Sequence, residues 1–225
     1  MPSPAGTARR LALFGAPGVG KGVQAAALRE RLGVPHVSTG DMLRAAVKDG
    51  SPLGRKVRAI LERGGLVPDE VVGDLIRERL GRPDAGDGFV LDGFPRTVPQ
   101  ADLLDRVLAG RGRALDRAIN IVVPEPEILD RLTGRRVCPE CGATYHVRHN
   151  PPRVEGRCDA CGGALRQRED DTEPVIAERL RVYQEQTSPL IERYQRRGVL
   201  LTVDGRGRPE EVTARIVAAL PGQGG

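Results

Sequence analysis

Leu11-Ala-Leu-Phe-Gly15-Ala-Pro-Gly-Val-Gly20-Lys21-Gly22 decides the fold: an apolar run feeds straight into a glycine-rich turn, and an Ala/Leu-rich segment follows. Leu11–Phe14 reads as a short buried strand and Lys21–Leu32 as a helix. Between them Gly15, Gly20 and Lys21 match the spacing G-x-x-x-x-G-K of a phosphate-binding loop. Glycine lets the backbone curl close to a phosphate with its N–H groups inward. The helix adds the positive end of its dipole at the same spot, and Lys21 is placed to reach the outer phosphates. A Gly-rich turn of purely structural use is the alternative; the strand before it and the helix after it argue against that. The Ser or Thr that ordinarily follows the lysine and ligates magnesium is absent, since Gly22 and then Val23 stand there. The metal must therefore be held by another route, through water and a distant carboxylate.

Outward from this loop, strand-like runs recur at 35–37, 89–91, 118–123 and 199–203. Helical patterns fill the gaps at 41–48, 52–63, 69–80, 99–109, 125–133, 174–196 and 209–220. Strands alternating with helices predict an α/β fold with a five-stranded parallel sheet flanked by helices. Ligands of such sheets gather at the carboxyl ends of the strands, where both the phosphate loop and Asp92-Gly93-Phe94-Pro95-Arg96 fall. Asp92 is thus a candidate to orient metal-bound waters; its bland reading is a turn aspartate before glycine. Ser38-Thr39-Gly40-Asp41-Met42-Leu43-Arg44 caps another helix, and Arg168 and Arg179 lie further on.

The chain has 225 residues, which suits one compact domain with a small inserted module. Its 35 basic residues exceed its 30 acidic ones, but only Lys21, Lys48 and Lys56 are lysines, so coding bias towards Arg accounts for most of the surface. Small polyanionic substrates use such a balance as well as nucleic acid does. No run of about 18 apolar residues and no positive-then-apolar leader is read, so the expectation is a cytoplasmic protein without membrane or nucleic-acid partners. Residues 1–9 and 221–225 are expected to fray.

Residues 134–171 break the alternation, being rich in Cys, Gly, Pro and Arg and lacking a core of their own. All four cysteines lie there, as Cys138-Pro-Glu-Cys141 and Cys158-Asp-Ala-Cys161, with 16 residues between the pairs. Two C-x2-C knuckles at this separation match a tetrahedral zinc site whose four thiolates leave no open position, hence a structural one. Binding of about 10–16 kcal/mol at neutral pH would offset the missing core. Two disulfides and a nucleic-acid-binding zinc ribbon are the rivals; a reducing compartment speaks against the first, and the lack of stacking aromatics against the second. His146 and His149 are read as surface residues.

Together the segments Gly15–Gln24, Ser38–Arg44, Gly65-Leu66-Val67, Asp92–Gln100, Gly134–Arg136, Tyr145–Gly156 and Arg168–Asp171 resemble those of the bacterial adenylate kinases of the long form with a four-cysteine zinc lid. The likeness runs from about Leu11 to the carboxyl terminus. It implies a P-loop nucleoside monophosphate kinase fold and reversible transfer of a phosphoryl group from MgATP to AMP, giving two ADP. It implies a core (1–37, 68–133 and 172–225), an AMP-binding flap (38–67) and a lid with structural zinc (134–171). By the same resemblance Gly18, Val19, Gly20, Lys21, Gly22 and Val23 wrap the ATP phosphates. Arg131, Arg135, Thr144, Tyr145 and Gly207 line the rest of the ATP side. Thr39, Arg44, Gly65, Leu66, Val67, Gly93, Phe94, Pro95, Arg96 and Gln100 receive AMP, with Gln100 reading the adenine edge. Arg168 and Arg179 belong to the AMP side as well and bridge the transferring phosphoryl, and Lys21, Asp92, Arg96, Arg135, Arg168 and Arg179 make up the catalytic set.

The family's glycine after the lysine accounts for Gly22, but Val23 departs from its Thr or Ser, which predicts a lost contact of about 1 kcal/mol. A monomer is expected. The competing readings are a kinase for another nucleoside monophosphate, a zinc-ribbon nucleic-acid binder switched by ATP, and a catalytically dead nucleotide-binding regulator.

Overall fold

The computed structural model describes residues 9–221; the remaining expected fraying, at 1–8 and 222–225, lies outside the described residues. Five strands, β1 (Arg10–Phe14), β2 (His36–Ser38), β3 (Phe89–Asp92), β4 (Arg117–Val122) and β7 (Leu200–Asp204), form one sheet in the order β2-β3-β1-β4-β7. Every pairing in it is parallel. Arg9 is ordered, against the expected fraying: its N–H donates to Asp116 and its carbonyl accepts from Phe89 N at 2.8 Å, so it extends the first strand.

Alternation along β1 sets the layers, because successive side chains leave a strand on opposite faces. Leu11 and Leu13 enter one apolar cluster with Val90, Ile119 and Ile121; Ala12 and Phe14 enter the other with Phe89 and Leu91. The first face is covered by α1 (Lys21–Leu32) and α9 (Pro209–Ala219). These two helices are pinned together by buried Gln24, which donates to Pro209 O at 3.0 Å and accepts from Thr213 Oγ1 at 2.7 Å. The second face is covered by α4 (Asp69–Gly81), α5 (Val98–Ala109) and α8 (Pro189–Arg196), where the Phe14 and Tyr194 rings meet 5.1 Å apart.

Two excursions leave this body near the strand tips. Between β2 and β3 the chain makes α2 (Thr39–Lys48) and α3 (Pro52–Glu62), capped by the Ser38 and Ser51 hydroxyls. Between α6 (Glu125–Thr133) and α7 (Glu173–Val182) lie residues 134–171, with a two-stranded antiparallel ribbon of β5 (Arg135–Val137) and β6 (Thr144–His146) that the sequence pattern did not reveal. No residue of 134–171 belongs to either apolar cluster among the described residues. Lys48 Nζ donates to Pro139 O at 3.2 Å, so the two excursions touch.

The expected helix over 174–196 is not continuous. It breaks into α7, a π-helical turn at Tyr183–Thr187 and α8. Pro189 is the cause: it has no N–H to donate, and its ring crowds the carbonyl four residues back.

Candidate functional site

The glycines of the loop after β1 hold conformations that their neighbours impose. A Cβ at Gly15 (φ +133°) would lie 2.4 Å from Ile121 O, so only glycine lets β1 turn this close to β4. Gly20 (φ +96°) precedes α1 without any side-chain cap, which leaves the first N–H groups of that helix free for an anion. Val23 stands in this first turn and is 43% exposed.

Lys21 folds back over the loop and donates to Gly15 O at 2.7 Å and Ala16 O at 2.9 Å. Burial pulls its pKa down to about 7; Asp92 opposes this, while Arg96, Arg179 and Arg135 push the same way. Those charges place four expected catalytic cations around one centre. Asp92 ends β3 beside them: a Cβ at Gly22 would lie 3.4 Å from its Oδ2. Burial alone would raise the Asp92 carboxyl, yet the neighbouring His36 imidazole (3.6 Å) with Lys21 and Arg96 holds it below the usual range. Burial likewise lowers Arg96, Arg168 and Arg179, and each is pressed further by another guanidinium. For Arg168 the result is about 10, with Arg44 and Arg135 as the neighbours responsible. A polyanion is the ligand that relieves such mutual repulsion.

One carboxylate organises the cluster. Asp171, fully buried, accepts from Arg135 Nε at 2.8 Å and Nη2 at 2.5 Å, and from Arg179 Nη1 at 3.1 Å. It ties the start of the 134–171 excursion to α7 at the excursion's end. Asp171 entered the sequence analysis only as the end of the segment Arg168–Asp171, with no part of its own; its position between Arg168 and Arg179 was the available signal.

Beside the cluster opens a cavity lined by Thr39, Arg44, Gly65, Leu66, Val67, Gly93, Arg96, Gln100 and Arg179 among others. Nine of the residues assigned to AMP by resemblance thus share one wall. Thr39 Oγ1 and Arg96 Nε both donate to Gly93 O, at 2.8 and 2.9 Å, and Arg44 pairs with Asp41 at 2.6 Å. Gln100 accepts from Arg96 N at 2.8 Å and donates to Asp69 at 2.8 Å, which leaves one amide hydrogen and one lone pair for a ligand. Asp69, also bonded by Thr97, was not foreseen. Phe94 is fully buried in the apolar cluster, Pro95 is buried beside it, and Arg168 is not in the cavity wall.

On the other side of the loop, Arg131 donates to Val19 O at 3.4 Å, to Gly205 O at 3.0 Å and to Glu127 at 2.5 Å, joining the phosphate loop to the turn that holds Gly207 (φ +97°). A Cβ at Gly18 would meet Leu132 at 2.8 Å. Thr144 is exposed on β6; the Tyr145 hydroxyl turns into the cysteine knuckles, accepting from Asp159 N at 2.8 Å and lying 3.5 Å from Cys158 Sγ.

The four cysteine sulfurs all lie within 4.8 Å of one another, with Cys138 to Cys161 at 3.4 Å and Cys141 to Cys158 at 3.5 Å. A tetrahedron with Zn–S bonds of about 2.3 Å has edges of about 3.8 Å, so the cluster is compatible with zinc. Backbone N–H groups turn with each knuckle, as in Cys138 N to Ala143 O and Cys158 N to Gly163 O, both 2.9 Å. Contrary to expectation, His146 is buried: its Nδ1 accepts from Arg148 N and His149 N, and its Nε2 sits 3.1 Å from Asp130 O. Its ring closes the turn after β6, so sequence polarity misjudged its burial. His149 stays exposed and pairs with Asp130 at 2.6 Å.

Residues 13–199 match the family model described as adenylate kinase. Among curated proteins, the adenylate kinase of Moorella thermoacetica is 58% identical over 94% of this chain and 97% of its own length. The adenylate kinases of Geobacter sp. (55%, 93% and 98%) and Carboxydothermus hydrogenoformans (53%, 94% and 99%) are similar to the same extent.

Proposed function

The chain belongs to the adenylate kinase family, and from that membership we infer that it is an ATP:AMP phosphotransferase, transferring the ATP γ-phosphoryl group reversibly to AMP to give two ADP. The observation that carries the residue-level reading is the gathering of Lys21, Arg96, Arg135 and Arg179 at the strand tips, next to a cavity walled by Thr39, Arg44 and Gln100.

ATP and AMP together bring about six negative charges, and the magnesium that accompanies ATP in this family offsets two. Phosphoryl transfer asks little covalent work of a protein, so positioning and charge stabilisation supply the rate. In our reading Gly18–Val23 hold the ATP phosphates through backbone N–H groups, and Lys21 exchanges its carbonyl partners for a phosphate oxygen. Arg131, Thr144, Tyr145 and Gly207 border the ATP side. Arg44 and Arg96 grip the AMP phosphate as planar forks, with Thr39, Gly65, Leu66, Val67 and Gly93 as the cavity wall. Phe94 and Pro95 support that wall from the core. Arg135, Arg168 and Arg179 face the phosphoryl in transit. Gln100 spends its free amide hydrogen and lone pair on the adenine edge, which favours AMP over other monophosphates. Asp92 would orient the waters on magnesium, in place of the missing hydroxyl ligand.

The division of labour follows: residues 1–37, 68–133 and 172–225 are the core, 38–67 the AMP flap and 134–171 the lid. Cys138, Cys141, Cys158 and Cys161 hold a structural zinc that gives the lid its shape, so it can close over the nucleotides and exclude water. No described helix is long and apolar enough to cross a membrane. Cytoplasmic nucleotides and reduced thiols suit each other, and one chain supplies both sites, so a cytoplasmic monomer suffices.

An assay of ADP formation with MgATP plus AMP, repeated with ATP alone and with UMP, CMP or GMP, tests the reading. ADP should appear only when a monophosphate is present, and fastest with AMP. Equal ADP from ATP alone would overturn it.

A further inference from the structure

Arg96 is held at three points. Its backbone N–H donates to Gln100, its Nε to Gly93 O, and its carbonyl accepts from Thr187 Oγ1 at 2.9 Å. Thr187 is only 6% exposed and comes from a distant part of the chain, 91 residues on. It closes the π-helical turn Tyr183–Thr187, in which Ser188 N bonds to Tyr183 O, five residues back, at 2.9 Å.

The register of that turn matters. A straight α-helix advances about 100° per residue, so Thr187, eight residues after Arg179, would stand about 80° away from it around the axis. A π turn takes in one extra residue. Thr187 then occupies the angular place of a seventh residue, about 20° from Arg179. Arg179 borders the AMP cavity and bonds Asp171. One extra residue thus puts the Thr187 hydroxyl on the helix face that looks into the site.

We propose that Thr187 is a positioning residue for Arg96, and that the π turn serves to aim its hydroxyl at the Arg96 carbonyl. The inference rests on the reading in which Arg96 grips the AMP phosphate. Arg96 lies among other guanidinium groups, Arg179 and Arg44 nearest in effect, which repel it while the site is empty. Fixing its backbone on both sides, and its Nε on Gly93 O, keeps the remaining N–H groups aimed at the cavity despite that repulsion. Thr187 touches no nucleotide in this account; it acts only through Arg96.

The test uses the full-length enzyme as Thr187→Val, Thr187→Ala and Thr187→Ser. Steady-state rates with AMP and ATP varied in turn are read beside thermal melting and calorimetric AMP affinity. Thr187→Val and Thr187→Ala should lose about tenfold or more in kcat/KM for AMP, while KM for ATP stays within about twofold. Thr187→Ser, which keeps the donor, should recover to within about threefold of the parent. A purely structural hydroxyl would instead lower Tm and depress both substrates together, and that pattern overturns the proposal. So does an AMP kcat/KM within about twofold of the parent in Thr187→Ala. Should Thr187→Val fail to fold, the Ala and Ser variants, both smaller than Thr, carry the contrast. A parent enzyme that makes no ADP refutes the proposed function instead, and the calorimetric comparison of Ala with Ser still decides whether the hydroxyl governs AMP binding.

Discussion

Residues 134–171 contribute nothing to either apolar cluster, whereas β1, β3 and β4 feed side chains into both. The sheet is fixed by burial spread over some forty residues, no one of which holds it alone. Residues 134–171, the proposed lid, are held by four clustered sulfurs, one ribbon and an Arg135–Asp171–Arg179 link across to α7. The difference suits the two tasks proposed for them: a phosphate cradle must not move, and a lid must swing without losing its shape. A unit whose shape rests on its own local bonds can pivot as a rigid body, and its ties to the body are polar ones, at Asp130, Thr133 and Arg179.

Removing the zinc proposed for the four cysteines breaks the comparison most sharply. Chelation, or Cys141→Ser, should cost the lid an apparent stabilisation of about 10–16 kcal/mol and melt it, while the sheet keeps its own transition. Leu104→Ala in the core should do the reverse, lowering the main transition by about 2–5 kcal/mol without releasing zinc. Calorimetry with metal analysis checks both; one shared transition lost on chelation would contradict the division.

Asp171→Asn attacks the link between the regions. A fully buried carboxylate that serves two guanidinium groups should cost about 3–5 kcal/mol when its charge is removed. Arg135 would lose its carboxylate and Arg179 would keep only Asp170 (3.0 Å), so kcat should fall more than affinity for ATP, as stopped-flow and equilibrium titration can separate.

On the core side, Lys21 gives a pH signature. Its folded pKa of about 7 lies below its ordinary 10.5, so the unfolded chain binds the extra proton between those values. Stability of the ligand-free enzyme should therefore rise from about pH 7 towards pH 10.5, by at most about 1.4 kcal/mol per pH unit from this group. Urea titrations of parent and Lys21→Met measure it, and the variant should show a flatter slope. Polyphosphate restores the lysine's charge, so MgATP binding near pH 8 should take up protons, readable in buffers of different ionisation enthalpy.

The smallest effect belongs to Val23. It is 43% exposed in the first turn of α1, and Val23→Thr should raise kcat/KM by about fivefold, the worth of one hydrogen bond of about 1 kcal/mol. An unchanged value would mean that the backbone N–H groups of the loop suffice.

How much of this was legible in the sequence divides along physical lines. The sheet was, because the unbroken apolar runs at Leu11–Phe14 and Phe89–Leu91 are a local consequence of burial on two faces. The phosphate loop and the knuckles were, because their chemistry demands fixed spacings. The ribbon at Arg135–Val137 and Thr144–His146 was not: strands of three residues without an apolar face leave no periodic trace. Pro189 was a break signal that the expectation of one helix over 174–196 passed over, and nothing local says that the break takes the form of a π turn. The parts of Asp171, Asp69 and Thr187 were hidden for another reason. Each depends on partners brought together by the fold, and a buried carboxylate or hydroxyl looks like any surface one until its neighbours are known.

The central claim is that one cationic pocket at the tips of parallel strands holds two nucleotides end to end. A crystal structure with two adenosines joined by five phosphates tests it most directly. The account predicts the phosphate chain running from Lys21 to Arg96, touched by Arg135, Arg168 and Arg179, with one adenosine in the cavity beside Gln100. Phosphates bound away from Lys21 and Arg96 would contradict it.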